Sequence, residues 1–181
     1  MKNPIIPRKP TLFSDLHCGI KLKKNQVDIV RIKNQAAREG YREQISRHIT
    51  IIGLKRGQEI CDILNRLAYN EKFDKIRKIK KLLKSFNWQF TDKEIYHISR
   101  KNLAYNEFEQ EDRESYIRLI HQPSMSKFYS KLNRLLNTNF NAPPPHITLF
   151  TLGEKPGSAY RGIGIDSKEK FKTLNPKKIK F

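Results

Sequence analysis

Two short segments constrain this chain more than anything else in it. Residues 46–54 read SRHITIIGL and residues 145–152 read PHITLFTL, so His-Ile-Thr is followed by two large apolar residues in both. β-Branched and apolar residues at that density form strands. Along a strand, successive side chains point to opposite faces. His48 and Thr50 therefore share one face while Ile49 and Ile51 occupy the other, and His146 and Thr148 are set apart from Ile147 and Leu149 in the same way. A fold for this chain has to bury the apolar side of both strands and leave both polar sides open.

The other segments supply the means. Residues 16–22 (LHCGIKL) alternate well enough for a preceding strand. Residues 25–44 are helical in their first part, with Gly40 as the stop. Residues 58–85 read as helix: Ile60, Ile63, Leu64 and Leu67 form one stripe, and Phe73, Ile76, Ile79, Leu82 and Leu83 continue it after a break near Asn70. Residues 86–90 and 94–99 read as strands paired around 91–93, and residues 115–120 as another. Pro123 can open a helix reaching Leu136, because the first turn does not need its N–H. Residues 159–165 make a last strand, followed by a Lys-rich stretch with little to bury. The order β-α-β-α-β-β-β-α-β-β indicates an α+β fold, mainly antiparallel sheet with helices outside. The expected organisation is an extended leader over 1–13, broken by Pro4, Pro7 and Pro10, one domain over 14–166, and a basic tail over 167–181.

An imidazole and a hydroxyl from each of two stiff strands form a set suited to opening a phosphodiester. One histidine, neutral, removes a proton from water or a 2′-hydroxyl; the other, protonated, delivers one to the departing oxygen. Imidazole suits both tasks because its pKa lies near neutrality. Thr50 and Thr148 can donate hydrogen bonds to the non-bridging oxygens, where charge grows in the transition state. The residues do not say which histidine is acid and which base. His97-Ile98-Ser99 is a looser third match, but Arg100, Lys101 and Asn102 follow it in place of an apolar run, so His97 reads as a decoy. His17 and His121 have only surface or satisfied polar roles. Cys18 and Cys61 lack CxxC spacing and no Cys–His set has zinc-ligand spacing, so neither a disulfide framework nor a metal is expected.

The twin H-x-T strands resemble those of the 2H phosphoesterase superfamily, which includes the LigT-like RNA 2′,3′-cyclic phosphodiesterases and 2′-5′ RNA ligases. The resemblance spans residues 16–165: a strand and helix precede the first motif, a helix follows it, and a strand plus helix precede the second. It implies a two-lobed molecule, two sheets related by a pseudo-twofold axis, each giving one H-x-T strand to a central cleft. It implies that His48 and His146 are catalytic, that Thr50 and Thr148 bind phosphate, and that no metal or cofactor takes part. The expected activity is a metal-independent phosphodiesterase (a hydrolase) acting on RNA or nucleotide 2′,3′-cyclic phosphates or 2′-5′ linkages. Two alternatives stand beside it: a phosphodiesterase degrading cyclic di- or oligonucleotide signals, and a non-catalytic RNA-binding module of the same fold. Binding alone does not require two acid–base groups, which counts against the second.

Further substrate-binding candidates lie elsewhere. Tyr116 and Arg118 share a face of the strand over 115–120 and offer a stacking ring and a phosphate partner. Tyr160 and Arg161, after Gly157, can reach a ligand from a loop or strand edge. Lys plus Arg number 37 against 18 Asp plus Glu, a formal charge of +19, and such a field attracts RNA or nucleotides. The lysines and arginine of residues 72–84 form a basic helix face able to dock a polyanion. No apolar run approaches a membrane span, and the first ten residues carry prolines and charges where a signal peptide needs an apolar core. A cytoplasmic monomer without a membrane partner is the expectation.

Overall fold

The computed structural model describes residues 4–7, 9–104, 109–155 and 162–180. Among them, eight strands form one antiparallel sheet. They are β1 (Thr11–Leu12), β2 (Cys18–Lys21), β3 (Arg42–Glu43), β4 (His48–Ile52), β5 (Thr91–Ala104), β6 (Gln110–His121), β7 (His146–Gly153) and β8 (Lys177–Lys178). The order across the sheet is β1-β2-β4-β7-β6-β5-β8, with β3 pairing to β7 beside β4. The two H-x-T strands are thus immediate neighbours, joined at Ile49 and Ile147. Helices α1 (Val30–Arg38), α2 (Leu54–Asn65), α3 (Tyr69–Ser85), α4 (Ser124–Leu136) and α5 (Lys168–Thr173) complete the α+β fold.

Local sequence explains most of these bounds. α4 buries Met125, Phe128, Tyr129, Leu132 and Leu136, the three- and four-residue spacing of a one-sided helix, and ends at Asn137 in the left-handed region. Gly40, at φ +81°, stops α1 and turns the chain into β3. Residues 66–68 divide α2 from α3, close to the expected break at Asn70. Ile49, Ile51, Ile147 and Leu149 are fully buried on one face of the sheet, against Ile60 and Leu64 of α2, Ile79 and Leu83 of α3, and α4.

Four expectations are corrected. The strands make one continuous sheet in place of the expected two. Residues 86–90 form no strand: Trp88 folds inward, donating Nε1–H to the Leu83 carbonyl at 2.8 Å, and only Phe90 makes a bridge, to Ile5 of the leader. Of the expected last strand, 159–161 lie outside the described residues and 162–165 join no strand of the sheet. The stretch after it buries more than its composition suggests. α5 and β8 fold back on β5, Leu174 is 1% exposed, and Phe171 meets Tyr96 edge-on. Ile98, Ile117, Ile163, Ile165 and Leu174 make a second apolar cluster there. No helix among the described residues is long and apolar enough to cross a membrane.

Candidate active site

The register at Ile49 and Ile147 sets the site. With those residues opposed in an antiparallel pair, His48 stands across from Thr148 and Thr50 across from His146, all four on the face that the core does not take. The rows continue outward. Lys21 of β2 pairs with His48 and Gly19 with Thr50; on the other side Ile117 of β6 pairs with Thr148 and Leu119 with His146. The four motif side chains line one cleft of about 730 Å³.

Each histidine is oriented by the same device. His48 donates Nδ1–H to the Ser46 carbonyl at 3.2 Å, and His146 donates Nδ1–H to the Pro144 carbonyl at 2.9 Å. A carbonyl can only accept, so the proton is on Nδ1 in both rings and Nε2 is left for the cleft. Neutral, that nitrogen is a base; protonated, it is an acid. The two differ in burial: His48 is exposed and His146 half-buried. Burial holds the His146 pKa below the ordinary histidine value; the Pro144 carbonyl opposes that shift, and the neighbouring His48 adds to it.

The cleft is cationic. Lys21, Lys55, Arg56, Arg100 and Lys170 line it, and among the described lining residues Asp166 is the one carboxylate. Arg56 is already engaged by Glu59 at 2.6 Å and lies 4.1 Å over the Phe140 ring. The segment after residue 161 forms the other wall: a Cβ on Gly162 would stand 3.0 Å from Thr148 Oγ1, so the chain passes directly over that hydroxyl. Cys18 also lines the cleft, but burial pushes its thiol up to about 12, and it stays protonated near neutrality. Cys18 and Cys61 are both free thiols.

The structure brings His48, Thr50, His146 and Thr148 together and leaves other candidates apart. Tyr116 and Arg118 do share a face, but it is the core face. Tyr116 is 3% exposed, tilts against Tyr41 and donates its hydroxyl to Glu39 at 2.5 Å. Arg118 donates to Asp92 Oδ2 at 2.6 Å and to the Asp28 carbonyl at 2.5 Å, beside a separate pocket of about 470 Å³. The Tyr116 hydroxyl and both terminal guanidinium nitrogens of Arg118 are thus engaged within the fold. Tyr160 and Arg161 lie outside the described residues. His97 meets Glu114 at 2.7 Å and Tyr41 at 2.9 Å and does not line the cleft. Among the described residues, no group of three or more His, Cys, Asp or Glu is arranged to hold a metal ion. Sequence reasoning missed Lys21, Gly162 and Lys170, whose places depend on strand neighbours and on the fold-back of the chain end.

Comparison of the chain with family models, with curated proteins and with solved structures finds no match in any of the three.

Proposed function

We propose that this chain is a metal-independent phosphodiesterase of the two-histidine type, acting on RNA or nucleotide 2′,3′-cyclic phosphates or 2′-5′ linkages. One observation carries the reading. Two copies of His-x-Thr lie side by side on one open strand pair, each histidine turned by the backbone carbonyl two residues before it so that Nε2 serves the cleft. A binding module has no use for two imidazoles prepared identically.

The difference in burial supports a division of roles. Burial favours the neutral form of His146, which suits it to the base; the exposed His48 then takes the part of the acid. In hydrolysis of a 2′,3′-cyclic phosphate, His146 Nε2 takes a proton from water as the water oxygen bonds to phosphorus. One ribose oxygen–phosphorus bond breaks, and His48 Nε2–H protonates that oxygen. The product is a ribose phosphomonoester, and both rings return to their starting states by exchange with solvent. Thr50 and Thr148 donate to the non-bridging oxygens, and the lining cations favour an anionic substrate. The 2H superfamily, suggested by the twin motifs, is the proposed home of the chain.

The test is a substrate panel with EDTA present: 2′,3′-cyclic mononucleotides, 2′-5′ dinucleotides, cyclic dinucleotides and end-labelled RNA. Turnover of a cyclic phosphate or a 2′-5′ linkage is expected. Preference for cyclic dinucleotides would move the protein to signal degradation, and activity lost to EDTA and restored by a divalent cation would overturn the metal-free mechanism.

A further inference from the structure

One wall of the cleft has a chemistry that phosphate binding does not use. Phe13 and His17 both line the cleft, with ring centroids 4.2 Å apart and planes 8° from parallel. Phe13 is 42% exposed, so the pair is open rather than packed away.

The turn that carries the rings is built to stay in place. Phe13 N–H donates to the His17 carbonyl at 3.0 Å, and Leu16 N–H to the Phe13 carbonyl at 3.1 Å. Leu16 takes φ +58°, the left-handed region that most residues avoid, and buries its side chain to 5% exposure. Asp15 accepts from His17 Nδ1 and fixes that ring. Helix α2 presses on the turn from behind: a Cβ on Gly57 would stand 2.6 Å from the Asp15 carbonyl oxygen and 2.8 Å from the His17 nitrogen. Glycine is what lets the helix seat there. Two flat rings on a pinned turn form a pre-ordered surface, which loses little freedom when a ligand covers it.

We propose that the Phe13–His17 pair is a stacking platform for the nucleobase of the substrate, so that the cleft takes nucleoside phosphates in preference to phosphodiesters without a base. The proposal deepens the phosphodiesterase reading and rests on it for the position of the phosphate. A nucleotide joins an anionic group to a flat π-surface through one sugar, and the cleft offers a His–Thr–Lys corner and an aromatic wall. Stacking is tolerant of base identity because every base has a π-face, so the platform selects for the presence of a base and only weakly among bases.

The experiment is a calorimetric titration of adenosine 2′-monophosphate and of ribose 5-phosphate into the full chain, its Phe13→Leu variant, which keeps apolar bulk, and its Phe13→Tyr variant, which keeps a ring. The wild type should bind the adenosine ligand at least about tenfold more tightly, the scale of one lost base stack. Phe13→Leu should lose that preference, and Phe13→Tyr should keep it. Equal binding of the two ligands by the wild type, or a preference that survives Phe13→Leu, overturns the platform. Turnover of 2′,3′-cyclic AMP separates this from the parent reading. A Phe13-dependent base preference without turnover of any panel substrate sinks the phosphodiesterase and leaves the platform. Turnover with the same KM in wild type and Phe13→Leu does the reverse.

Discussion

β4 and β7 carry the same tripeptide, yet they meet different surroundings. β4 has the slender β2 on its outer side, where Gly19 and Lys21 oppose Thr50 and His48, and His48 is exposed. β7 has the long β6 beside it, where Leu119 and Ile117 oppose His146 and Thr148, with Gly162 lying over the threonine. One copy of the motif is wet and flanked by a cation; the other is half-covered and flanked by aliphatic groups. Equal side chains therefore sit in unequal surroundings, and burial lowers the pKa of His146. A mechanism that needs one neutral and one protonated imidazole is served by this asymmetry in neighbours, with no change in the residues themselves.

The largest expected effect tests whether the two copies are one machine. His48→Ala and His146→Ala should each lower turnover by roughly a hundredfold to ten-thousandfold, the range for a lost general acid or base. The double variant should be little worse than either single one, because the two act in one step. His97→Ala should keep most activity. Steady-state kinetics of the four variants checks this, and an active His48→Ala beside an inactive His97→Ala would break the pairing.

A smaller effect is expected at the hydroxyls. Thr148→Val and Thr50→Val should each lower turnover on the order of tenfold to a hundredfold, the value of a hydrogen bond to a charged group. Gly162→Ala should disturb Thr148 alone, since the new Cβ would sit 3.0 Å from its Oγ1. Combined with Thr148→Val it should therefore add less than it does combined with Thr50→Val. Equal additions in the two backgrounds would show that the covering segment does not act through Thr148.

The smallest effect reads the asymmetry directly. The His146 pKa is lowered by burial, so in an NMR titration its ring should titrate below the ordinary value of about 6.5. The sign for stability follows. As pH falls past that ordinary value the unfolded chain takes up the proton first, so it binds more protons than the folded chain and stability decreases. This contribution is fully present above the unfolded pKa and is lost on acidification towards the folded one. His146→Gln should flatten the acid side of a thermal-stability profile, and an unchanged slope would show that His146 is not held neutral.

The motif strands could be read from sequence because alternation is a local property: Ile49 and Ile147 had to go inward, and that turned both histidines outward. α4 was legible for the same reason, from its apolar spacing. β5 and β6 were read short. Their outer parts hold Arg100, Lys101, Glu111 and Arg113, which look like loop; yet Glu111 and Arg113 form a buried ion pair, and pairing satisfies the backbone of both strands. Phe171 and Leu174 are single apolar residues in a Lys-rich stretch, and no periodicity announces that they close a second cluster. Lys21 and Phe13 belong to the site through strand order and a turn, which no local pattern contains. Tyr116 and Arg118 do not line the cleft, because a strand pattern says which side chains share a face and not which face the core will take.

The place of β7 between β4 and β6 also sets a timetable. A ribosome adding about 5–20 residues each second exposes His146 on the order of 5–20 s after His48. Until then β4 has β2 on one side and nothing to pair with on the other, a raw edge of the kind that recruits other chains. The first half of the protein thus spends its early life with an unguarded flank and half of the paired motif. Both are completed in one event, when the last long strand slots into the gap.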